Sequence, residues 1–516
     1  MAIRVVKKYL SGLVTLILSI GIVIPHTYLS NIPLTKALTY DVSNTSDSGA
    51  GSFRQAIIDA NLNAGTDTIS FSATGTIAVN STMDAITSNI TIDGTTSPDW
   101  TAGPDITLQG DLSRDCLVYG SGGAGLVKGI NIHGCRKNIQ IQGGADGITL
   151  GGTAANENIN ITGATTGISL EGGNNISIYN CQIGNNAGNG KGIDIVDGTT
   201  INIGGTVAGQ ANLINQNTAA GIVVGSSTGV TIAGNYIGVG GAEEAKANLG
   251  GIDVIGTNIS ALTIGGNSVS ARNYISANTQ FGISLSTGAG NGATIKNNFI
   301  GVSSTGFAIG NNSGGISVNT GNNNISLNTI SGNNVSGISI SGAGAVSNTI
   351  DANKIGADSA GNNPVANSGD GISIGTNSSN TTISNNVISG NIGNGINVLS
   401  DATGTTYVYG NKIGLAENLS AMPNNQNGIR ASAKVIVGDA ADNAKVNLIG
   451  SNSKNGIQIS GIPASDSTIA NNLIGTLADN TPRPNLWNGI FIDTGASGIS
   501  IGADTGTIQE INSNGL

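Results

Sequence analysis

From about residue 129 onward the hydrophobic positions of the chain follow two short phrases that recur to its end. The first is glycine, isoleucine, one variable residue and a second aliphatic, as in "GIDI", "GIVV", "GIDV", "GISL", "GISV", "GINV" and "GIQI". Alternation with period two predicts a strand whose aliphatics point inward and whose third residue points out. The second phrase sets an asparagine between two aliphatic stretches, as in "VTIAGNYI", "ATIKNNFI", "NTIDANKI", "TTISNNVI" and "STIANNLI". It predicts two short strands with a bend between them. Three short strands in every roughly 22 to 34 residues, with Gly and Asn at the corners, predict an all-β parallel β-solenoid.

On these phrases the chain strongly resembles the right-handed parallel β-helix repeat of pectin-lyase-like proteins. Coils of such a helix stack at about 4.8 Å, so equivalent residues fall above one another. Asn235, Asn298, Asn328, Asn353, Asn386, Asn411 and Asn472 are then expected to form a structural ladder. Stacked amides bond to each other and to the turn backbone, satisfying groups whose unpaired burial costs about 1 to 3 kcal/mol each. Cys181 holds the equivalent place in "ISIYNCQI" and is expected to be a buried, inert thiol.

The corners alternate in length. Ile214 to Gly221, Ile275 to Gly282, Ile330 to Gly337, Ile388 to Gly395 and Ile449 to Gly456 are steps of 7 residues. Between them, Ile237 to Gly251, Ile300 to Gly315, Ile355 to Gly371, Ile413 to Gly428 and Ile474 to Gly489 are steps of 14 to 16. The repeat is therefore a pair of coils, with five long loops along one edge at about 9.6 Å intervals, twice the strand spacing. Such a row suits a binding face. Its distinctive side chains are Glu243 and Glu244 in the first loop, and Arg483 and Trp487 in the last. Away from that role the loops are expected to add little to the core.

Ahead of the repeats, "DSGAGSFRQAIIDANLNAGTDTISF" places Phe53, Ala56, Ile57 and Ala60 on one face of a short helix opened near Ser52 and stopped before Gly65. It reads as a cap over the open end of the solenoid. The segment resembles the CSLREA-type amino-terminal segment of bacterial surface β-helix proteins, with "GSFRQAI" in the place of the signature. The first 37 residues carry Arg4, Lys7 and Lys8, then "LSGLVTLILSIGIVI", then "LTKA". They read as a signal peptide cut after Ala37, or as an uncleaved anchor, which would be the only link to a membrane. The expected division is 1–37 for export, 38–128 for the cap and first irregular coils, and 129–516 for the repeats. The last residues, "NSNGL", stop where another strand would begin, so a truncated solenoid is expected.

Composition narrows the picture. Only 3% of residues are aromatic and 81 of 516 are glycine, which suits a thin aliphatic core and not several aromatic-centred ones. Losing Arg4, Lys7, Lys8 and Lys36 takes the net charge from −10 to −14. That charge argues against nucleic acid as a partner. Three cysteines exclude a disulfide-built fold and leave an odd thiol; cysteine is not expected to hold the chain together. No spacing matches a metal or cofactor site, so none is expected.

Catalysis is weighed on the outward residues of the first phrase, taken in order as Asn131, Thr149, Ser169, Asp194, Val223, Asp253, Ser284 and onward to Arg430, Gln458 and Phe491. Asp194 and Asp253 are the one acidic pair, with Val223 between them. Their backbones should lie about 9.6 Å apart, wide for a retaining glycosidase and at the limit for an inverting one. The reading is thus an exported or cell-surface rod, structural or adhesin-like, with polysaccharide as the expected partner. A polysaccharide lyase or glycoside hydrolase using Asp194 and Asp253 is the alternative, and an inert spacer the third.

Overall fold

A computed structural model describes residues 36–502, apart from 102, 155, 440, 441, 443, 444 and 494, together with the strand Glu510–Ile511. Of the export segment expected over residues 1–37, residues 1–35 lie outside the described residues. Parallel pairing starts at the first strand, β1 (Thr39–Val42), which is joined to β2 (Thr66–Phe71) through the helix α1 (Phe53–Leu62). Ser52 caps α1 by accepting a bond from the Gln55 amide, and Phe53, Ala56, Ile57 and Ala60 are buried against the end of the core.

The chain then winds as a parallel β-solenoid with three faces. Face I carries the strands of the first phrase, such as Ile252–Val254 and Ile396–Val398. Face II carries strands such as Thr294–Lys296 and Thr382–Ser384, and face III the two-residue strands that follow the bend, such as Phe299–Ile300 and Val387–Ile388. Face III is a 16-stranded sheet. Faces I and II are joined as one 29-stranded sheet, because Thr166–Ile178 and Lys191–Gly204 run unbroken round the corner between them. Isoleucine stacks on isoleucine inside: Ile283, Ile316, Ile338, Ile372 and Ile396 pair in sequence and all are fully buried. Buried β-branched chains of one shape repeat the same packing in every coil, which is how so few aromatics suffice.

Three expectations need correction. Gly129–Ile132 lies on face III, where Asn131 stacks between Thr107 and Asn160, and Gly147–Leu150 lies on face II, where Thr149 stacks between Leu126 and Ser177. The face I column starts instead with Val118 and Gln140, which lead to Ser169 and Asp194. All three faces need inward aliphatics at alternate positions, so Gly-Ile-x-aliphatic does not by itself name a face. Cysteine does contribute: Cys116 and Cys135 form a disulfide between neighbouring coils, with Cα atoms 5.8 Å apart. Cys181 is the odd thiol; it is buried, and its burial pushes its pKa up.

The long loops also depart from expectation. Each is a small hairpin that follows every second strand of face III, closed by an antiparallel bridge such as Val302 with Ala308 or Leu415 with Ala421. Each opens on a glycine with φ near +80° (Gly238, Gly301, Gly356, Gly414 and Gly475). At Gly238 a Cβ would also lie 2.2 Å from the Ser276 carbonyl oxygen, so only glycine fits. The hairpins fold back over face III and the short corners beside it. Met422 and Ala416 from one hairpin and Ala357 from the preceding one bury Val387, while Val302 and Val365 pack with Phe299 and Tyr274. The Ser331 hydroxyl of a short corner donates to Ala357 O and accepts from Gly356 N. The loops therefore belong to the packed structure.

Candidate functional site

Three files of amides run along the solenoid. The first occupies the bend between faces II and III: Asn212, Asn235, Asn273, Asn298, Asn328, Asn353, Asn386, Asn411, Asn447 and Asn472, each Nδ2 donating to the next Oδ1 at 2.8–3.0 Å. The seven asparagines singled out in the sequence all lie in it. Cys181 sits at its head, its amide donating to Asn212 Oδ1. The second file occupies the corner between faces III and I and runs from Asn189 to Asn485, with links such as Asn333 to Asn367 at 3.0 Å and Asn391 to Asn424 at 2.9 Å. Sequence reasoning missed it, because the hairpins shift it relative to face III. The usable signal was to count back from face I, since Asn333, Asn367, Asn391 and Asn424 each stand five positions before a strand isoleucine.

The third file is short and lies at the outer side of the corner before face I, with Asn394, Asn427 and Asn455 buried and Asn488 exposed. Asn394, Asn427, Asn455 and Asn488 precede the Gly-Ile of successive face I strands, and each donates to the residue one coil back at 2.9–3.0 Å. The file ends on a carboxylate, because Asn394 donates to Asp370 Oδ1 and Asn397 donates to Asp370 Oδ2 at 2.8 Å. Beside it the corner backbone climbs from Gly393 to Gln426, Lys454 and Trp487, amide to carbonyl at 3.1–3.2 Å. That stacking sets Lys454 Nζ 5.2 Å from the centre of the Trp487 ring. On the other side stand the outward residues of face I, Arg430, Gln458 and Phe491.

Together they line an open groove of about 550 Å³. Trp487 is 48% and Phe491 39% exposed on the last described coil of face I, where the inward Ile492 is also 41% exposed. Around them are amides, two cations and one carboxylate. Flat rings among many donors and acceptors suit the apolar faces and hydroxyls of a sugar chain.

The sequence-predicted residues are not brought together. Trp487 is in this groove. Arg483 lies on the neighbouring hairpin edge, where Nε donates to Leu419 O of the preceding hairpin at 2.8 Å, beside a separate cleft of about 500 Å³. Glu243 and Glu244 are eight coils away, about 38 Å at the strand spacing. Glu243 accepts from the Ser304 amide of the next hairpin at 2.8 Å. Hydrogen bonding to its own backbone amide, with Lys246 nearby, holds Glu244 below the usual carboxylate range. Both thus serve hairpin contacts. Arg430, Lys454 and Phe491 were not singled out for binding, since only stacking places them beside Trp487.

Asp194, Val223 and Asp253 follow one another on face I. Asp194 is paired with Lys191 at 2.7 Å. Burial pushes the Asp253 carboxyl up from the usual range. Among the described residues no three His, Cys, Asp or Glu side chains gather as a metal-binding group.

Fold and groove define a parallel β-solenoid with an aromatic, amide-rich groove on one face. No family model matches the chain, and no curated protein does. Solved structures similar to it include a variant of the periplasmic alginate epimerase AlgG, at 12% identity over 85% of this chain and 76% of that one, with a TM-score of 0.32. The Dettilon tailspike protein is similar at 12% identity over 88% and 68%, with a TM-score of 0.35. PfbA, a surface adhesin of Streptococcus pneumoniae, is similar at 11% identity over 92% and 93%, with a TM-score of 0.29. At such scores these likenesses say nothing of this chain's ligand.

Proposed function

We propose that this chain is an exported, surface or secreted rod that holds a polysaccharide in the groove between its third asparagine file and face I. The observation that carries the reading is the exposed pair Trp487 and Phe491, beside Arg430, Lys454, Gln458 and the exposed end of the amide file at Asn488. Two rings beside polar and charged groups suit the apolar faces and the hydroxyls of a sugar chain. The ladders, the isoleucine stacks and the folded-back hairpins make the support rigid. The proposed ligand face is thus the groove, not the hairpin row, with Trp487 retained from the sequence reading and Arg483, Glu243 and Glu244 set aside.

A glycan array tests this. The wild-type protein should retain a restricted set of polysaccharides, and Trp487→Ala should weaken retention at least about tenfold, the loss expected of a stacked aromatic anchor. Glu244→Gln should bind like the parent. Binding that survives in Trp487→Ala, Phe491→Ala and their double variant would reject the groove.

One observation favours cleavage of a polysaccharide as a second reading: the raised pKa of Asp253, which suits a general acid. Against it stand the intervening Val223 and the Lys191 partner of Asp194. The expected assay result is no release of reducing ends, and release abolished by Asp253→Asn would establish the enzyme.

A further inference from the structure

The start of β1 is held in an unusual way. The Leu38 amide donates to Asp67 Oδ1 at 2.8 Å, and the Leu38 carbonyl accepts from Thr68 N at 2.9 Å. Asp67 is fully buried. Its Oδ1 also accepts from Asn63 Nδ2 at 2.7 Å, but its Oδ2 is buried with no hydrogen-bond partner among the described residues. A buried carboxylate with one oxygen unanswered is costly, and its absent partner should be a cation with more than one proton to give. Immediately before Leu38, Lys36 and Ala37 are exposed, and only the Lys36 carbonyl is held, by Asn63 Nδ2 at 2.9 Å. From Thr39 onward the chain is in register with β2.

We infer that the bond between Ala37 and Leu38 is a processing site, and that the Leu38 ammonium it creates is captured by Asp67 as a buried ion pair that locks the first coil. Water hydrolyses the peptide bond: its oxygen joins the Ala37 carbonyl carbon, which leaves as a carboxylate, and its two protons pass to the Leu38 nitrogen, which keeps its own and becomes –NH₃⁺. That nitrogen already stands at hydrogen-bond distance from Oδ1, and its added protons can reach Oδ2. Asp67 then has a full charge to answer its own, and the chain stays in register because no residue from Thr39 onward has to move. The nearby titratable groups are Asp59 and Tyr40, and Asp67 and Asp59 both raise the Tyr40 pKa after its desolvation. The one cation close by in sequence, the exposed Lys36, whose carbonyl shares Asn63 Nδ2 with Asp67 Oδ1, lies before the cut and leaves with the export segment. The inference rests on the export reading and adds what cleavage does to the fold.

The test is made on the full chain recovered from the producing cell and its medium. Intact mass and amino-terminal sequencing should find Leu38 first. Hydrogen exchange of the amides of Thr39–Val42 should quicken at least about tenfold in Asp67→Asn, the size expected for a charged hydrogen bond lost to an opening segment. In a chain whose export segment is retained by Ala37→Tyr, Asp67→Asn should change the same amides far less, because the ammonium is missing. Equal effects of Asp67→Asn in both backgrounds would overturn the ion pair, and so would an exported protein beginning elsewhere. A chain that stays uncut inside the cell would defeat the export reading as well.

Discussion

Asn386 is bonded on every side. Its Nδ2 reaches Ile350 O at 2.9 Å and Asn411 Oδ1 at 3.0 Å, and its Oδ1 accepts from both nitrogens of Asn353. Asn386→Leu strands those partners in a dry bend and should cost about 1 to 3 kcal/mol. A parent-like melting curve and unchanged exchange around Ile350 and Asn411 would refute the ladder. Asp253 gives the opposite sign. Its folded pKa lies above its unfolded one, so the proton is held more tightly in the fold. Its contribution is fully present below the unfolded value, about 3.9, and is lost as the pH rises through the folded value. Asp253→Asn should therefore melt above the parent near neutral pH, with the gap closing in acid. A gap that widens in acid would contradict this. The first ladder was legible because its Asn interrupts an aliphatic run at a fixed place. The second hides among the many Ser, Gly and Asn of the corners, and the third shows only as the residue before Gly-Ile.

The hairpins are the informative elements. Their alternation could be counted in the sequence, but the direction in which they fold could not, because spacing along a chain does not say which surface a loop covers. The structure puts Met422 over Val387, with Ala357 and Ala416 beside them. Met422→Ala should cost about 2 to 4 kcal/mol locally, as buried large-to-small changes do. Cutting Gly414–Asn424 to the length of a short corner should destabilise the coils that carry Ile388 and Ile413. Protease resistance of the trimmed protein equal to the parent's would mean that the hairpins are ornaments after all. Similarly, the placement of the first coils was misread at Asn131 and Thr149, where irregular spacing removes the count that fixes the face.

As a whole the molecule is a stack in which each coil touches only its neighbours, so damage should stay local. Reducing the Cys116–Cys135 bridge opens a loop of 19 residues, worth about 3 kcal/mol in the chain-entropy account. Exchange should quicken around Ile106–Ile141 and remain unchanged from Ile300 onward; a uniform loss of protection would contradict a stack of near-independent coils. Fold class was readable over most of the chain, since one packing solution repeats. The groove was not, because residues from five coils meet there and single residues such as Arg430 and Phe491 have no local signature. The most direct measurement of the central claim uses the two tryptophans of the chain. In a Trp100→Phe background, Trp487 is the sole indole. Titration with an oligosaccharide cut from a retained polysaccharide should shift or quench its emission to saturation, and Phe491→Ala should weaken that midpoint. Emission that does not change while the protein still retains the polymer would place the binding site elsewhere.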